Sequence, residues 1–102
     1  MMMIEIQFTC KNMKQAERIS EALVAERLAA CCNIVNAKSV YSWKGKMRRE
    51  KECIVFAKIS KKKAKQCETR IKEMHSYDLP AIIFIPVKAS KEYEKWVEES
   101  VK

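Results

Sequence analysis

Hydrophobic and polar residues alternate at the start of the chain and then change to a helical period. Residues 4–10 are apolar at every second position, which predicts a strand with one buried face. Residues 13–28 carry an apolar stripe at helical spacing, preceded by Asn12 as N-cap and Gln15 as its capping-box partner. The pattern therefore begins with a β-strand followed by an α-helix.

The middle of the chain consists of two strand-like arms around its only glycine. The arms cover residues 33–43 and 46–59, and Lys44-Gly45 between them predicts a tight turn because glycine reaches positive φ without steric cost. The apolar parity slips near residues 36–37, which predicts a β-bulge. The polar outer part should project beyond the domain's own sheet, and such a ribbon exposes backbone edges that neighbouring subunits commonly cover.

The last part of the chain predicts helix, strand and helix. Ser60 should cap a second helix, which ends before Pro80 because the residue preceding proline resists helical geometry. The continuous apolar run at 81–87 contains Pro86, which cannot donate to a ladder and therefore favours an edge strand. Ser90 should cap a third helix. The order β-α-β-β-α-β-α predicts an α+β, ferredoxin-like domain spanning residues 1–102, with a C-terminal helix and a long β2–β3 hairpin.

Strands three and four are apolar on both of their faces. Two helices cover one face of a ferredoxin-like sheet, and the other face would normally be polar and wet. Leaving several Ile, Val and Phe side chains in water costs several kcal/mol at ~25 cal/mol per Å². The third helix can cover part of this surface, and we expect contacts between subunits to cover the rest.

Composition and charge narrow the function classes. The chain has 102 residues, of which 48% are hydrophobic, and a net charge of +8 concentrated around residues 61–72 and 44–51. No apolar run reaches the ~18–20 residues that span a bilayer. A basic face could bind nucleic acid, but the stretch has no interleaved aromatic residues, and a solvated helix face is the simpler interpretation.

The cysteines indicate a reducing compartment. There are five cysteines, an odd number, and no pair has C-x-x-C spacing. We therefore interpret them as small buried apolar residues. The first residues lack a basic region followed by a long apolar core, the pattern of a signal peptide. We expect a cytoplasmic protein.

Four stretches of the chain resemble one known family. Residues 25–34, 41–46, 75–82 and 93–96 are similar, in order and at the expected spacing, to motifs of the CutA divalent-cation tolerance proteins. The resemblance implies a ferredoxin-like fold assembled as a compact homotrimer, and kinship in architecture with PII-type signalling proteins. It also implies a link to copper and other divalent cations.

The ligand set proposed for that family is incomplete in this chain. Phe8, Ser76 and Ala81 stand where members carry a cysteine, a proline and a glutamate, so that only His75 remains of the cysteine, histidine and glutamate ligands. Cys10 lies on the same strand face as the lost cysteine. Sulfur and imidazole ligands suit copper, and we therefore predict His75 and Cys10 as metal ligands.

Two alternatives to this metal site stay open. The first is that His75, the only histidine, is a structural hydrogen-bonding group. The second is that the methionine run 1–3 holds Cu(I) through its thioethers, although such a run is also typical of a frayed terminus.

Aromatic and basic residues also predict a pocket between subunits. Apolar walls with a few polar groups are what a small-molecule site requires, and a lysine inside an apolar strand should be paired or lie at a cleft. The competing interpretation is interface packing, in which large aromatic residues are enriched. The predicted lining, suited to a small anion, comprises Tyr41, Trp43, Lys58, His75, Tyr77 and Trp96.

Nothing in the sequence favours catalysis. Asp78 is the only aspartate, there is no second histidine, and a single glycine excludes a phosphate-binding or dinucleotide loop. We predict a non-enzymatic trimeric protein of divalent metal ion, particularly copper, tolerance or homeostasis, with itself and a metal ion or small anion as partners and no membrane contact. The alternatives are a PII-like small-molecule sensor or partner-binding module, and a nucleic-acid-binding domain.

Overall fold

The computed structural model describes residues 3–101 and has the predicted order of elements. The strands are β1 (Met3–Cys10), β2 (Cys31–Trp43), β3 (Lys46–Ser60) and β4 (Ile82–Val87), and the helices are α1 (Met13–Ala25), α2 (Ala64–Met74) and α3 (Lys91–Ser100). A short 3-10 turn at Lys61–Lys63 leads into α2. No helix within this range is long and apolar enough to cross a membrane.

The strands form one antiparallel sheet in the order β2-β3-β1-β4. β1 lies in the middle, paired with β3 from Met3↔Ser60 to Cys10↔Cys53 and with β4 on its other side. β4 is an edge strand, as Pro86 predicted, since it has a single strand neighbour. The α+β, ferredoxin-like class is confirmed.

One face of the sheet forms the main core beneath α1 and α2. Ile6 and Phe8 of β1 and Val55 of β3 are completely buried there, together with Leu23 of α1 and Ile71 of α2. The period-two alternation of β1 and β3 brings these side chains to the same face, and the 3.6-residue stripes of the helices seal it.

The opposite face is covered by a helix at one end only. A smaller cluster joins α3 to this end of the sheet through Met3, Ala30, Val97 and Val101. Beyond it, Val35 and Ile83 are 43% and 47% exposed. The prediction that the strands are apolar on both faces, with α3 covering only part, is confirmed.

The β2–β3 hairpin extends past the rest of the sheet. Pairing with β1 ends at Cys53, whereas the β2–β3 ladder continues to Trp43↔Lys46, and residues 46–51 are exposed. The turn has φ of 51° at Lys44 and 78° at Gly45, as expected for the two-residue hairpin turn with two positive φ angles. A Cβ at Gly45 would meet nothing within 4 Å, so the backbone conformation rather than space requires glycine.

Two local predictions are wrong. The β2–β3 register is unbroken from Cys31↔Lys58 to Trp43↔Lys46, so there is no bulge near residues 36–37. The outer ribbon has no helices beneath it, so its apolar side chains can lie on the other face without an inserted residue. Ser60 makes no capping hydrogen bond, because the chain continues from it into the 3-10 turn.

The ends of α1 refine the remaining predictions. Asn12 caps the helix as predicted, with Oδ1 accepting from the Gln15 amide at 2.8 Å, but the Gln15 side chain accepts from the amide of Lys11. The helix ends at Ala25, earlier than predicted. Arg27 has φ of 60° and the amide of Leu28 donates to Leu23 O, a Schellman ending in which arginine takes the position usual for glycine.

Candidate functional site

A cavity of about 520 Å³ lies where the outer ribbon meets the segment between α2 and β4. The segment 76–81 forms one wall, and the ribbon forms the other. The side chains facing the cavity are aromatic, acidic or small, with one arginine and one leucine. They belong to Thr9, Tyr41, Trp43, Arg48, Glu50, Glu52, Ser76, Tyr77, Asp78, Leu79 and Ala81.

The strand register explains how the ribbon wall arises. Glu50 and Glu52 are two residues apart on β3 and therefore point to the same side. Tyr41 is paired with Arg48, two positions along the ladder from Ser39↔Glu50, so Tyr41 is diagonal to Glu50 on that same side. Residues 48–52 extend beyond the pairing with β1, and segment 76–81 lies across the cavity from this side of the ribbon.

Two tyrosine–glutamate pairs cross the cavity wall. The hydroxyl of Tyr77 donates to Glu52 Oε2 at 2.6 Å, and the hydroxyl of Tyr41 donates to Glu50 Oε1. Burial, followed by the hydrogen bond to Glu52, raises the pKa of Tyr77. The hydrogen bond to Glu50 raises the pKa of Tyr41. Both hydroxyls therefore stay protonated at neutral pH and hold one oxygen of each carboxylate.

The cavity is acidic although the whole chain is basic. Glu50, Glu52 and Asp78 face it, against a single cation, Arg48. Within residues 3–101, none of these three carboxylates has an ion-pair partner within 4 Å. Glu52 is only 9% exposed, which makes its carboxylate the most enclosed charge of the site.

His75 supports this wall from behind and does not line the cavity. Its Nε2 lies 2.6 Å from Thr9 O, and its Nδ1 accepts a hydrogen bond of 3.1 Å from the Tyr77 amide. The rings of His75 and Tyr77 are 4.8 Å apart. Both ring nitrogens are thus occupied, which agrees with the interpretation of His75 as a hydrogen-bonding group that positions Tyr77.

Cys10 is completely buried beneath the helices, directly opposite Cys53. Burial, followed by the charge of Cys53, raises the pKa of its thiol to about 12, so the proton stays on sulfur. No group of three or more His, Cys, Asp or Glu side chains in the part of the chain that the structure describes could hold a metal ion. Cys10 and His75 therefore do not form a metal site within one chain. The methionine run predicted as an alternative falls mainly on residues 1 and 2, outside the described residues.

The six residues predicted to line a pocket fall in three places. Tyr41, Trp43 and Tyr77 do meet in the cavity, with His75 behind them. Lys58 lies elsewhere on the sheet. Trp96 lies on α3, with its ring 5.5 Å from that of Tyr93.

Lys58 is a paired lysine, as its place in an apolar strand indicated. Its Nζ is 3.4 Å from Glu5 Oε2 and donates to Asn33 Oδ1. The structure therefore removes from this cavity the cation on which an anion-binding interpretation depended.

The sequence interpretation missed the acidic side chains of the cavity. The sequence pattern places Glu50 and Glu52 in a polar ribbon and does not mark them as site residues. Their alternation across the turn from Tyr41 and Trp43 was a usable signal, because a hairpin about Lys44-Gly45 brings both pairs to one side. Asp78 gave no such signal, since its position depends on how segment 76–81 folds back.

Comparison with known proteins decides the family. The family model described as CutA1 divalent ion tolerance protein matches residues 4–100. The chain belongs to the CutA family. It is 36% identical over 97 residues to the divalent-cation tolerance protein CutA of Archaeoglobus fulgidus, covering 94% of this chain and 95% of that protein. It is also 37% identical over 101 residues to CutA of Pyrococcus horikoshii, covering 98% and 99%.

Solved CutA structures agree with the fold. A structure described as the periplasmic divalent cation tolerance protein CutA of Archaeoglobus fulgidus superposes with a TM-score of 0.97 at 35% identity, covering 99% of this chain and 100% of that one. The Thermus thermophilus CutA1 structure gives a TM-score of 0.94 at 32% identity, covering 99% and 100%. Because the match covers nearly the whole of both chains, it includes the hairpin and α3.

Proposed function

We propose that this chain acts as a non-enzymatic homotrimer in divalent-cation tolerance. One observation carries the assembly: the open sheet face exposes Val35 and Ile83, and the ribbon beside it extends past the sheet. Apolar strands that are uncovered on one face are stabilised when another protein surface buries them. A ring of identical chains covers this surface in every copy at once.

Sedimentation equilibrium tests the assembly. We expect one species at three times the chain mass of 11.9 kDa across micromolar concentrations. A stable monomer under the same conditions would contradict the proposal, because the open face would then be compatible with water.

Copper is the first cation to test, because thiol and imidazole ligands select it. Equilibrium dialysis with Cu(II) should compare the wild-type protein with His75→Ala and Cys10→Ala. Stoichiometric binding that both variants lose would support these ligands, and it would require the chain to rearrange around Cys10, which is completely buried in the structure. Equal binding by all three proteins would remove Cys10 and His75 from any copper site.

The second candidate function is small-molecule binding, which the cavity of about 520 Å³ favours. Its volume lies in the range of about 300–1,000 Å³ that is usual for ligand sites, and its walls combine aromatic rings with a few polar groups. A thermal-shift screen against metabolites and nucleotides tests it, and a ligand that raises the melting temperature in a concentration-dependent way would support it.

Cytoplasmic location stays a prediction. All five cysteines are free in the structure, which is compatible with a reducing compartment. Cell fractionation with an antibody to the natural protein tests this directly.

A further inference from the structure

The charge of the cavity indicates what kind of ligand it suits. Glu50, Glu52 and Asp78 face the same space as a single arginine, and none of the three is ion-paired within residues 3–101. Carboxylates held together in a partly enclosed space repel each other, and a bound cation relieves that repulsion. An anionic ligand would add to it.

Glu52 offers a specific contact for such a cation. The residue is only 9% exposed, and Tyr77 holds its Oε2 at 2.6 Å. Among the described residues its other oxygen, Oε1, has no hydrogen-bond partner and is not sealed from solvent. A positioned carboxylate oxygen without a protein donor is ready to accept a charge-assisted hydrogen bond.

Aromatic rings supply the second recognition element. Tyr41 and Trp43 line the cavity and are 40% and 41% exposed in the single chain, so neither side chain is fully covered by its own chain. Ring faces attract ammonium and guanidinium groups, and tryptophan does so most strongly. The same rings can pack against an apolar carbon chain.

The absence of a convergent ligand group among residues 3–101 favours an organic cation over a metal ion in this cavity. Divalent metal ions require several oxygens that converge at about 2.0–2.6 Å. No group of His, Cys, Asp and Glu side chains among residues 3–101 has that arrangement. An organic ammonium ion carries its own carbon body, which fills an aromatic cavity while its charged ends reach separate carboxylates.

We propose that the cavity of Glu50, Glu52, Tyr41, Trp43 and Tyr77 binds a small organic ammonium ion with a short aliphatic body. Glu52 accepts the ammonium hydrogen bond, with Tyr77 holding its carboxylate in place. The ring face of Trp43 attracts the positive charge and also packs against the aliphatic part. This assignment names the ligand class of the small-molecule function proposed above and rests on that function, not on copper binding.

Isothermal titration calorimetry on the intact assembly tests the proposal, with butane-1,4-diamine as the probe and butane-1,4-diol as its neutral match. We expect the diamine to bind and the diol not to bind. Glu52→Gln keeps the size and the acceptor for Tyr77 but removes the charge, and should weaken diamine binding at least tenfold. Glu21→Gln removes the same charge from an exposed position on α1 and should change the affinity less than twofold.

Trp43→Leu provides a second variant that leaves every charge in place. It should weaken the diamine severalfold, because a leucine side chain has no ring face to attract the ammonium group. Circular dichroism of each variant confirms that it is folded.

Several results would overturn the assignment. They are equal loss of affinity in Glu52→Gln and Glu21→Gln, absence of diamine binding up to millimolar concentration, or binding of the diol as tightly as the diamine. Binding of ATP in place of the diamine would overturn the ammonium assignment while leaving a small-molecule function in place. If neither the diamine, ATP nor any compound of the thermal-shift screen binds, both the ammonium assignment and the small-molecule function are wrong.

Discussion

The two faces of the sheet differ in how their apolar side chains are buried. On the helix side, Phe8, Val55 and their neighbours are completely buried by α1 and α2 of the same chain. On the other side, α3 covers only the end near Met3, and Ile83 is left 47% exposed. The helix-side face is therefore buried within one chain, whereas the other face needs a second protein surface to bury its apolar side chains.

The contrast shows that strand composition alone does not determine burial. β3 is apolar on both parities between Cys53 and Ile59 apart from Lys58, yet only the parity of Val55 reaches zero exposure. What differs is the number of helices available to each face. A surplus of apolar strand residues over helix cover is thus a sign of assembly.

The largest effect should come from opening the closed face. Phe8→Ala removes a completely buried ring between the sheet and the helices and leaves a cavity there. We expect a loss of about 3–5 kcal/mol in the free energy of unfolding, measured by guanidinium denaturation. A loss below about 1 kcal/mol would mean that the closed face is not the main core.

An intermediate effect should follow from placing a charge on the open face. Ile83→Lys should shift the assembly towards smaller species in sedimentation velocity, since burying an isoleucine in each contact contributes about 2 kcal/mol. Val24→Lys is the matched control, because Val24 is 43% exposed on α1, in the layer on the other side of the sheet. The assignment of the open face to assembly fails if both variants sediment alike.

A smaller effect should come from the helix that partly covers the open face. The hydroxyl of Ser90 accepts from the Tyr93 amide at the start of α3, so Ser90→Ala should cost about 1 kcal/mol of stability. Ser60→Ala should cost less, because Ser60 makes no cap hydrogen bond. Thermal unfolding of the two variants compares them, and an equal loss would contradict the capping geometry.

Regular patterns in the sequence predicted most of the fold. The alternation in residues 4–10, the Lys44-Gly45 turn and Pro86 correctly gave β1, the hairpin and the edge strand. These succeeded because each depends on a local backbone preference or on a periodicity that burial imposes. The bulge failed because it assumed that all of β2 packs on the helices, whereas its outer half lies beyond them.

The candidate site was less predictable, because its parts are distant in sequence. Tyr41, Trp43 and Tyr77 line one cavity of the single chain, whereas Lys58 and Trp96 share only their residue type with the predicted lining and lie elsewhere. Only the three-dimensional path of segment 76–81 brings Asp78 opposite Glu52. Residue type can suggest what a site contains, and the chain path decides which residues share it.

The central place of β1 has a consequence for synthesis on the ribosome. β2 and β3 are neighbours in sequence and can pair as soon as residue 60 has left the exit tunnel, but the second edge of β1 must wait for β4, which ends at Val87. Until then, one edge of β1 has backbone amides and carbonyls without hydrogen-bond partners in a neighbouring strand. The nascent chain is therefore most prone to mispairing with its neighbours on a polysome in this interval, before translation reaches its end.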